Sequence, residues 1–484
     1  MKIYEIKITN YKAFLGTHVI NACGKNLFIY GENGSGKSSM YYALKDFFQS
    51  SVEDIDISAL DNIFVTPGEE GKTDIRVTFK YKERKKRRQK TYVLNTTKND
   101  TRAPGDTIIR DGNNLKSFLT YKHLLDIHHI NKDDSINLFD LLINGVLNHF
   151  KFPLTGGRDL GALWSDVEEF ISRKTDRDYN ITKKKTDVEA AMKKFNEAFS
   201  ELFKEDSPDY ILKHARTILD YFDHNIALKL HFPKVRANKD FTEIEDALVA
   251  VDIQYAGKPV MKPHLFLNEA RLSAIAISIY LGMIKRHIQG IPCKVLFLDD
   301  IFIGLDIANR LPLLDILESE FPDYQVFITT YDKPWFEYAK GFIDKSSWTI
   351  MEFYAKTCDE GFEIPVVFGD KNELIAQAKE HLDHCDYKAA AVYTRSAFEK
   401  IIRKYCDDKR IPVRFRLITK TYTVNDFWDA MNDKNVVPGS IKTDIEKYTD
   451  LVLNAFSHYN TTKHEIGKEL EKAIKAVESL DAAL

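Results

Sequence analysis

Eight consecutive residues, Gly31-Glu32-Asn33-Gly34-Ser35-Gly36-Lys37-Ser38, fit the spacing G-x-x-x-x-G-K-[S/T]. Glycines at these positions let successive backbone N–H groups turn inward on a polyphosphate. Lys37 reaches the outer phosphates, and Ser38 is placed to hold Mg²⁺ beside the positive end of a helix. The pattern assigns nucleotide binding, of ATP or GTP, to Asn33, Gly34, Ser35, Gly36, Lys37, Ser38 and Ser39.

A phosphate loop needs a distant carboxylate for its metal. The apolar run Val295-Leu296-Phe297-Leu298 ends in Asp299-Asp300, which fits a Walker B segment. Asp299 is then the Mg²⁺-side carboxylate, and Asp300 the one that orients or deprotonates an attacking water.

The elements that must position these groups are legible around them. Leu27-Phe28-Ile29-Tyr30 reads as a strand entering the loop, and Met40, Leu44, Phe47 and Phe48 recur at helical spacing after it. Residues 1–30 alternate as strands, with a turn from Asn10 to Phe14. Residues 225–260 return to strand character, with a hairpin closed at Gly257 and Pro259. Then come a helix over 269–287, the buried strand 294–298, a helix over 311–320 and the strand 325–328. This alternation predicts an α/β sheet covered by helices.

Taken together, Leu298 to Asp306 and Phe327 to Asp332 resemble the Walker B, D-loop and switch segments of ABC-type ATPase heads, in the branch with RecF and the SMC proteins. Leu267 to Ala276 resembles the signature segment of that family, with Asn268 where Ser is usual and Ala270 where Gly is usual. The wording is similar to ATPase subunits of bacterial anti-phage systems such as Septu, PARIS and the retron-associated ATPases. The resemblance implies ATP and Mg²⁺ as cofactors and a head-to-tail homodimer or higher oligomer. In it Asn268, Glu269, Ala270 and Asp306 face the partner's Lys37 site. It also implies a catalytic pair of Asp300 and Tyr331. Asp300 stands where Glu is usual and Tyr331 where His is usual, and no glutamine-loop residue is visible, so hydrolysis is expected to be slow. The implied function is an ATP-operated switch or sensor in a bacterial anti-phage complex, controlling a separate nuclease or toxin effector. DNA or a phage-encoded trigger is a further partner this reading allows. The rival readings are a DNA-repair ATPase of the RecF/SMC type and a toxin with a HEPN-like ribonuclease tail.

Composition sets the bounds. The chain has 484 residues, 44% of them hydrophobic, enough for two or three domains. Its 69 Lys and Arg against 72 Asp and Glu leave a formal charge of -3, so any nucleic-acid surface must be a local patch. One such patch is the hairpin expected between runs 74–81 and 91–94, whose tip carries Lys85, Lys86, Arg87 and Arg88. Five scattered cysteines form no C-x-x-C pair, and no apolar run approaches a membrane span, so a soluble, cytoplasmic protein without a membrane partner is expected.

Residues 121–150 turn helical, and 162–222 read as an amphipathic helical hairpin whose arms of roughly 25 residues would project ~40 Å. The tail 370–484 reads as a helical module with small Ala389, Ala390 and Ala391 for close packing. The expected organisation is an N-terminal head lobe (1–160), a helical insertion (161–223), a C-terminal head lobe (224–366) and a helical module (367–484). Within the tail, Asn454 to His458 is faintly similar to the HEPN pattern but lacks its Arg. An intrinsic ribonuclease is therefore the weaker reading of this module, and a packing or partner-docking module the stronger.

Overall fold

The computed structural model describes residues 1–65, 68, 72–83, 86–122, 137–286, 291–357, 361–369, 374–383, 387–416, 422–448 and 467–484. They form two compact units, Met1–Gly369 and Asp370–Leu484.

The first unit is built on a six-stranded sheet. In chain order its strands are β3 (Asn26–Gly31), β6 (Phe118–Thr120), β12 (Val295–Asp299), β13 (Gln325–Thr330), β14 (Trp348–Thr357) and β15 (Glu363–Gly369). The spatial order is β15-β14-β3-β13-β12-β6, all parallel except β15, which returns antiparallel on β14. Strands β12 and β13 are buried at every position, as expected of central parallel strands covered on both faces. Successive side chains alternate between the faces, and the core divides accordingly. Phe28, Tyr30, Leu296, Leu298, Val326 and Ile328 enter one apolar cluster, while Leu27, Ile29, Val295, Phe297 and Phe327 enter the other.

The second cluster is closed by helix α1 (Lys37–Gln49) and by a four-stranded antiparallel sheet. That sheet runs β2-β1-β4-β5, from β1 (Lys2–Thr9), β2 (Thr17–Asn21), β4 (Asp74–Glu83) and β5 (Lys86–Asn95). Helix α1 presents Met40, Tyr41, Leu44, Phe47 and Phe48 to it, all essentially buried. Each such side chain contributes about 1.5–3 kcal/mol of apolar burial, which fixes the start of α1 against the sheet. The β4–β5 ladder continues to the pair Glu83↔Lys86. Arg87 and Arg88 therefore sit on strand β5, exposed, and not in a loop at the tip; Lys85 lies outside the described residues. The alternation in 74–81 and 91–94 stops where the charges begin, but exposed edge positions accept charged side chains without breaking a ladder.

The other cluster is closed by helices. Helix α2 (Ile108–Asn113) leads into β6. The segment 162–222 folds as α3 (Leu160–Ser172), α4 (Ile181–Glu201) and α5 (Lys213–Asp220). This corrects the expected pair of projecting ~25-residue arms: α3 has 13 residues and α4 has 21. Their apolar faces do not serve each other alone. Trp164, Phe195 and Phe199 pack with Phe139 and Phe232 inside the larger core, with ring centroids 4.6–6.3 Å apart. Spacing of three and four announces an apolar face without saying what covers it. Of the expected helical stretch 121–150, residues 123–136 lie outside the described residues, and a π-helical turn spans Leu141–Val146.

A three-stranded sheet, β7 (Ile226–His231), β10 (Ala250–Tyr255) and β11 (Lys258–Pro259), and the short pair β8 (Arg236–Ala237) and β9 (Ile244–Glu245) follow. Then come α6 (Pro263–Phe266), the almost wholly buried α7 (Glu269–Lys285), α8 (Ile307–Glu320) and α9 (Lys333–Ala339).

The second unit contains α10 (Leu374–Asp383), α11 (Tyr387–Asp408), α12 (Val424–Asp433), α13 (Gly439–Tyr448) and α14 (Gly467–Ala483). Its core joins Ala390, Ala391, Phe398, Ile402, Trp428, Met431, Leu470, Ile474 and Val477. Arg395 and Glu399 pair at 3.3 Å one turn apart on α11. The stretch from Asn454 to His458 lies outside the described residues. Among the described residues, no helix is long and apolar enough to cross a membrane.

Candidate functional site

The phosphate loop leaves β3 at Gly31 and enters α1 at Lys37. Two glycines make the turn possible: Gly34 and Gly36 adopt φ of 85° and 92°, in the left-handed region that L side chains rarely occupy. Gly31 is required for a different reason, since a Cβ there would come within 2.4 Å of Ser35 Oγ and 2.8 Å of Lys37 Cγ. Lys37 folds back along the loop, its Nζ donating to the carbonyl oxygens of Gly31 at 2.7 Å and Glu32 at 3.1 Å. The side chain is buried, and burial pulls its pKa down while Asp300 and Asp299 push it up.

Three neighbouring strands complete the site. Because β13 lies between β3 and β12, the ends of β12 and β13 meet the start of α1. Ser38 Oγ donates to Asp299 Oδ2 at 3.0 Å, and Thr329 Oγ1 donates to Asp299 Oδ1 at 2.6 Å. The same Thr329 oxygen accepts the Asp300 backbone N–H at 3.0 Å. Asp300 adopts φ 52°, ψ 30° as the chain turns out of the sheet, and its Oδ2 lies 3.9 Å from Lys37 Nζ. Burial first, and then Asp299, raise the Asp300 pKa to about 6 against the opposing pull of Lys37 and the Tyr331 backbone N–H. Asp299 is also raised, first by burial, with Thr329, Ser38 and Lys37 opposing.

These residues fit a magnesium–nucleotide complex. Ser35 Oγ in the loop and Asp300 Oδ1 at the end of β12 are buried polar atoms with no partner among the described residues. Ser38 and Asp299 offer a hydroxyl and a carboxylate side by side, hard oxygen ligands of the kind Mg²⁺ takes alongside substrate phosphates.

The other expected residues divide. Ser39 Oγ accepts the Ala13 N–H at 3.3 Å and ties the loop to the β1–β2 turn, while Asn33 and Gly34 are exposed. Tyr331 meets the site through its backbone, and its side chain is 46% exposed. Asp306 caps α8, accepting the Asn309 N–H at 3.0 Å. Asn268 caps α7, its Oδ1 accepting the Arg271 N–H at 3.0 Å; Glu269 is exposed and Ala270 buried. Within one chain, no contact among the described residues brings Asn268, Glu269, Ala270 or Asp306 to Lys37. Lys86, Arg87 and Arg88 lie on β5, in the other sheet.

Sequence reasoning missed three contributors. Thr329 was visible only as part of a Thr-Thr pair ending a buried strand. Arg310 joins Leu305 O at 2.8 Å and Asp332 Oδ2 at 2.6 Å, linking the segment before Asp306 to the segment after Tyr331. The β14–β15 hairpin covers the phosphate loop: a Cβ on Gly36 would lie 2.9 Å from Pro365 Cγ, and one on Gly34 3.0 Å from Glu363 Oε2. No local signal announced that last contact.

Comparison with known proteins places this arrangement. The model of the RecF/RecN/SMC N terminal domain matches residues 2–348, a span that holds both the phosphate loop and Asp299–Asp300. Among solved structures, an Smc head bound to the C-winged helix domain of ScpA is 14% identical, with 77% of this chain and 99% of that one covered and a TM-score of 0.40. The Smc head domain with an extended coiled coil bound to the C-terminal domain of ScpA, from Pyrococcus furiosus, is 14% identical over 79% and 99%, with a TM-score of 0.44. The SMC head domain from Thermotoga maritima is 12% identical over 77% and 100%, with a TM-score of 0.35. No curated protein matches the chain.

Proposed function

This chain belongs to the RecF/RecN/SMC N-terminal domain family, and from that premise we propose that it is an ATP-operated switch that binds ATP with Mg²⁺ and hydrolyses it slowly. The observation that carries the reading is the convergence of Lys37, Ser38, Asp299 and Asp300, with Thr329, at the ends of three adjacent strands. Lys37 binds and orients the outer phosphates. Ser38 and Asp299 hold the metal, and Mg²⁺ supplies charge neutralisation at the phosphates when bound. Asp300 orients the attacking water and accepts its proton, a task suited to a carboxylate whose pKa is raised toward neutrality.

Slow turnover is supported by the chemistry of two positions. Asp300 is one methylene shorter than the glutamate usual there, and Tyr331 offers a phenol, which can only hydrogen-bond, where a histidine is usual. The exposed Asn268 and Glu269 at the start of α7, and Asp306 at the start of α8, are proposed to face the nucleotide of a second copy, so that ATP cements a head-to-tail dimer. The ATPase head is proposed to span residues 1–366, with the packed helices of 161–223 as an insertion. The helical unit after residue 367 is proposed to dock a separate effector, a nuclease or toxin of an anti-phage system.

Titration of the purified chain with ATP and Mg²⁺ tests this. Wild type should bind and turn over slowly, and Lys37→Ala should weaken binding at least ~100-fold, the loss of a charge-assisted contact worth about 3 kcal/mol. Unchanged affinity would remove the phosphate-loop assignment. Native purification of both forms then tests the switch: an effector that co-elutes with wild type and the Lys37→Ala chain alike, whatever nucleotide is present, would count against ATP control.

A further inference from the structure

A second cavity, of about 250 Å³, opens between the C-terminal half of α1, the segment 113–119 and the turn Leu141–Val146. It shares no lining residue with the nucleotide site. Two lysines line it, Lys45 from α1 and Lys116 from the turn before β6, and the described lining contains no carboxylate, the acids that act on them being Asp46 and Glu53 outside it. Asn113 is 7% exposed, and its Nδ2 has no partner among the described residues. A tight turn, in which Lys116 N–H donates to Asn113 O at 3.0 Å, sets these two side by side. Lys116 adopts φ 49° to do so, an unusual conformation for a long side chain. Phe118 and Tyr280 form an apolar wall.

A cavity that gathers two like charges and an unsatisfied amide donor is costly to maintain without an anion. Burial, and then Lys45, lower the Lys116 pKa, and Glu53 only partly offsets them. We propose that this cavity binds a small phosphomonoester carrying an aromatic group, with Lys45, Lys116 and the Asn113 amide on the phosphate and the ring against Phe118 and Tyr280. The charge argues for phosphate: a phosphomonoester carries about −1.5 to −2 at neutral pH, matching two ammonium groups, whereas one carboxylate would leave a cation unmatched. The size argues for a small molecule, since the volume falls just under the ~300 Å³ at which ordinary ligand pockets begin.

The test is isothermal titration of the full chain with phenyl phosphate. The Lys37→Ala background silences the nucleotide site. Saturable binding is expected, weaker for inorganic phosphate and absent for phenol. Lys45→Gln, at an exposed helix position that tolerates the change, should weaken it at least ~10-fold. Asn113→Asp, which places a negative charge where the amide donor sits, and Lys116→Asn, whose side chain accepts the left-handed backbone, should do the same. No saturable heat, or an affinity unchanged in Lys45→Gln and Asn113→Asp, would overturn the proposal. So would binding of a 5′-phosphorylated oligonucleotide by a chain that ignores phenyl phosphate.

Discussion

Ser38 and Asp299, 261 residues apart in sequence, meet through a 3.0 Å hydrogen bond from Ser38 Oγ to Asp299 Oδ2. The other carboxylate oxygen of Asp299 is held by Thr329, so the carboxylate proposed to hold the metal is fixed from both sides before any nucleotide arrives. A preorganised carboxylate pays no reorganisation cost at the moment of metal binding.

Thr329→Val tests that arrangement. The substitution keeps the β-branched shape of a fully buried strand residue but removes both the donor to Asp299 Oδ1 and the acceptor for the Asp300 N–H. Loss of one bond to a carboxylate and one between neutral groups predicts a fall in turnover of roughly 10- to 100-fold and a raised Mg²⁺ requirement, with ATP affinity little changed. A magnesium titration of ATPase rate reads this directly. Equal half-saturation in the two proteins would reduce Thr329 to a packing residue.

How much of this site was legible follows from the same residue. Lys37, Ser38 and Asp299 announce themselves because their chemistry requires particular residue types at short spacings. Thr329 matters only because β13 lies between β3 and β12, and strand order is a property of the whole sheet that no local window contains. The α/β alternation was readable from the buried runs at 295–298 and 325–328. The fate of α3 and α4 was not: Trp164, Phe195 and Phe199 mark apolar faces whose partners, Phe139 and Phe232, come from distant segments. The cover of Pro365 over Gly36 was hidden for the same reason.

Neutralising Lys85, Lys86, Arg87 and Arg88 together tests the basic β-hairpin. If this edge tracks a phosphate backbone, DNA affinity should fall alike for all sequences, and the salt slope should drop by about one unit per lost contact. Filter binding of several duplexes across a salt series measures both. An unchanged slope returns the charges to the role of a solvated, aggregation-resistant edge.

Asn268 has one observed role and one proposed. Its Oδ1 caps α7, and its amide is proposed to donate to the nucleotide of a neighbouring copy. Asn268→Asp keeps the cap and discards the donor, whereas Asn268→Ala discards both. Thermal unfolding should therefore separate the pair, with Asn268→Ala losing about 1 kcal/mol and Asn268→Asp almost nothing. ATP-dependent dimerisation, followed by analytical ultracentrifugation, should be weakened in both. A dimer unaffected by Asn268→Asp would leave this residue as a helix cap alone.

Asp300 opposes stability to function. Its folded-state pKa is raised to about 6, so the unfolded chain gives up this proton at a lower pH than the native protein does. Below the ordinary carboxylate range both states hold the proton and no penalty arises. As pH climbs from there to about 6, the native state is progressively disfavoured, and above that value the penalty is fully present. Removing the charge should therefore stabilise the nucleotide-free protein at neutral pH. The expected gain for Asp300→Asn is about 1–3 kcal/mol, its upper end reduced because Lys37 loses a neighbouring carboxylate. The gain should vanish in acid, and denaturant melts at a series of pH values would show it. Hydrolysis should move the opposite way. Only the carboxylate form can take a proton from water, so kcat/KM for the wild type should rise with pH through about 6. In Asp300→Asn that limb should disappear with most of the rate, while ATP remains bound. A variant that is stabilised yet hydrolyses ATP at the wild-type rate would leave Asp300 as a strained, buried acid with no catalytic part, and would pass the role of base to another group.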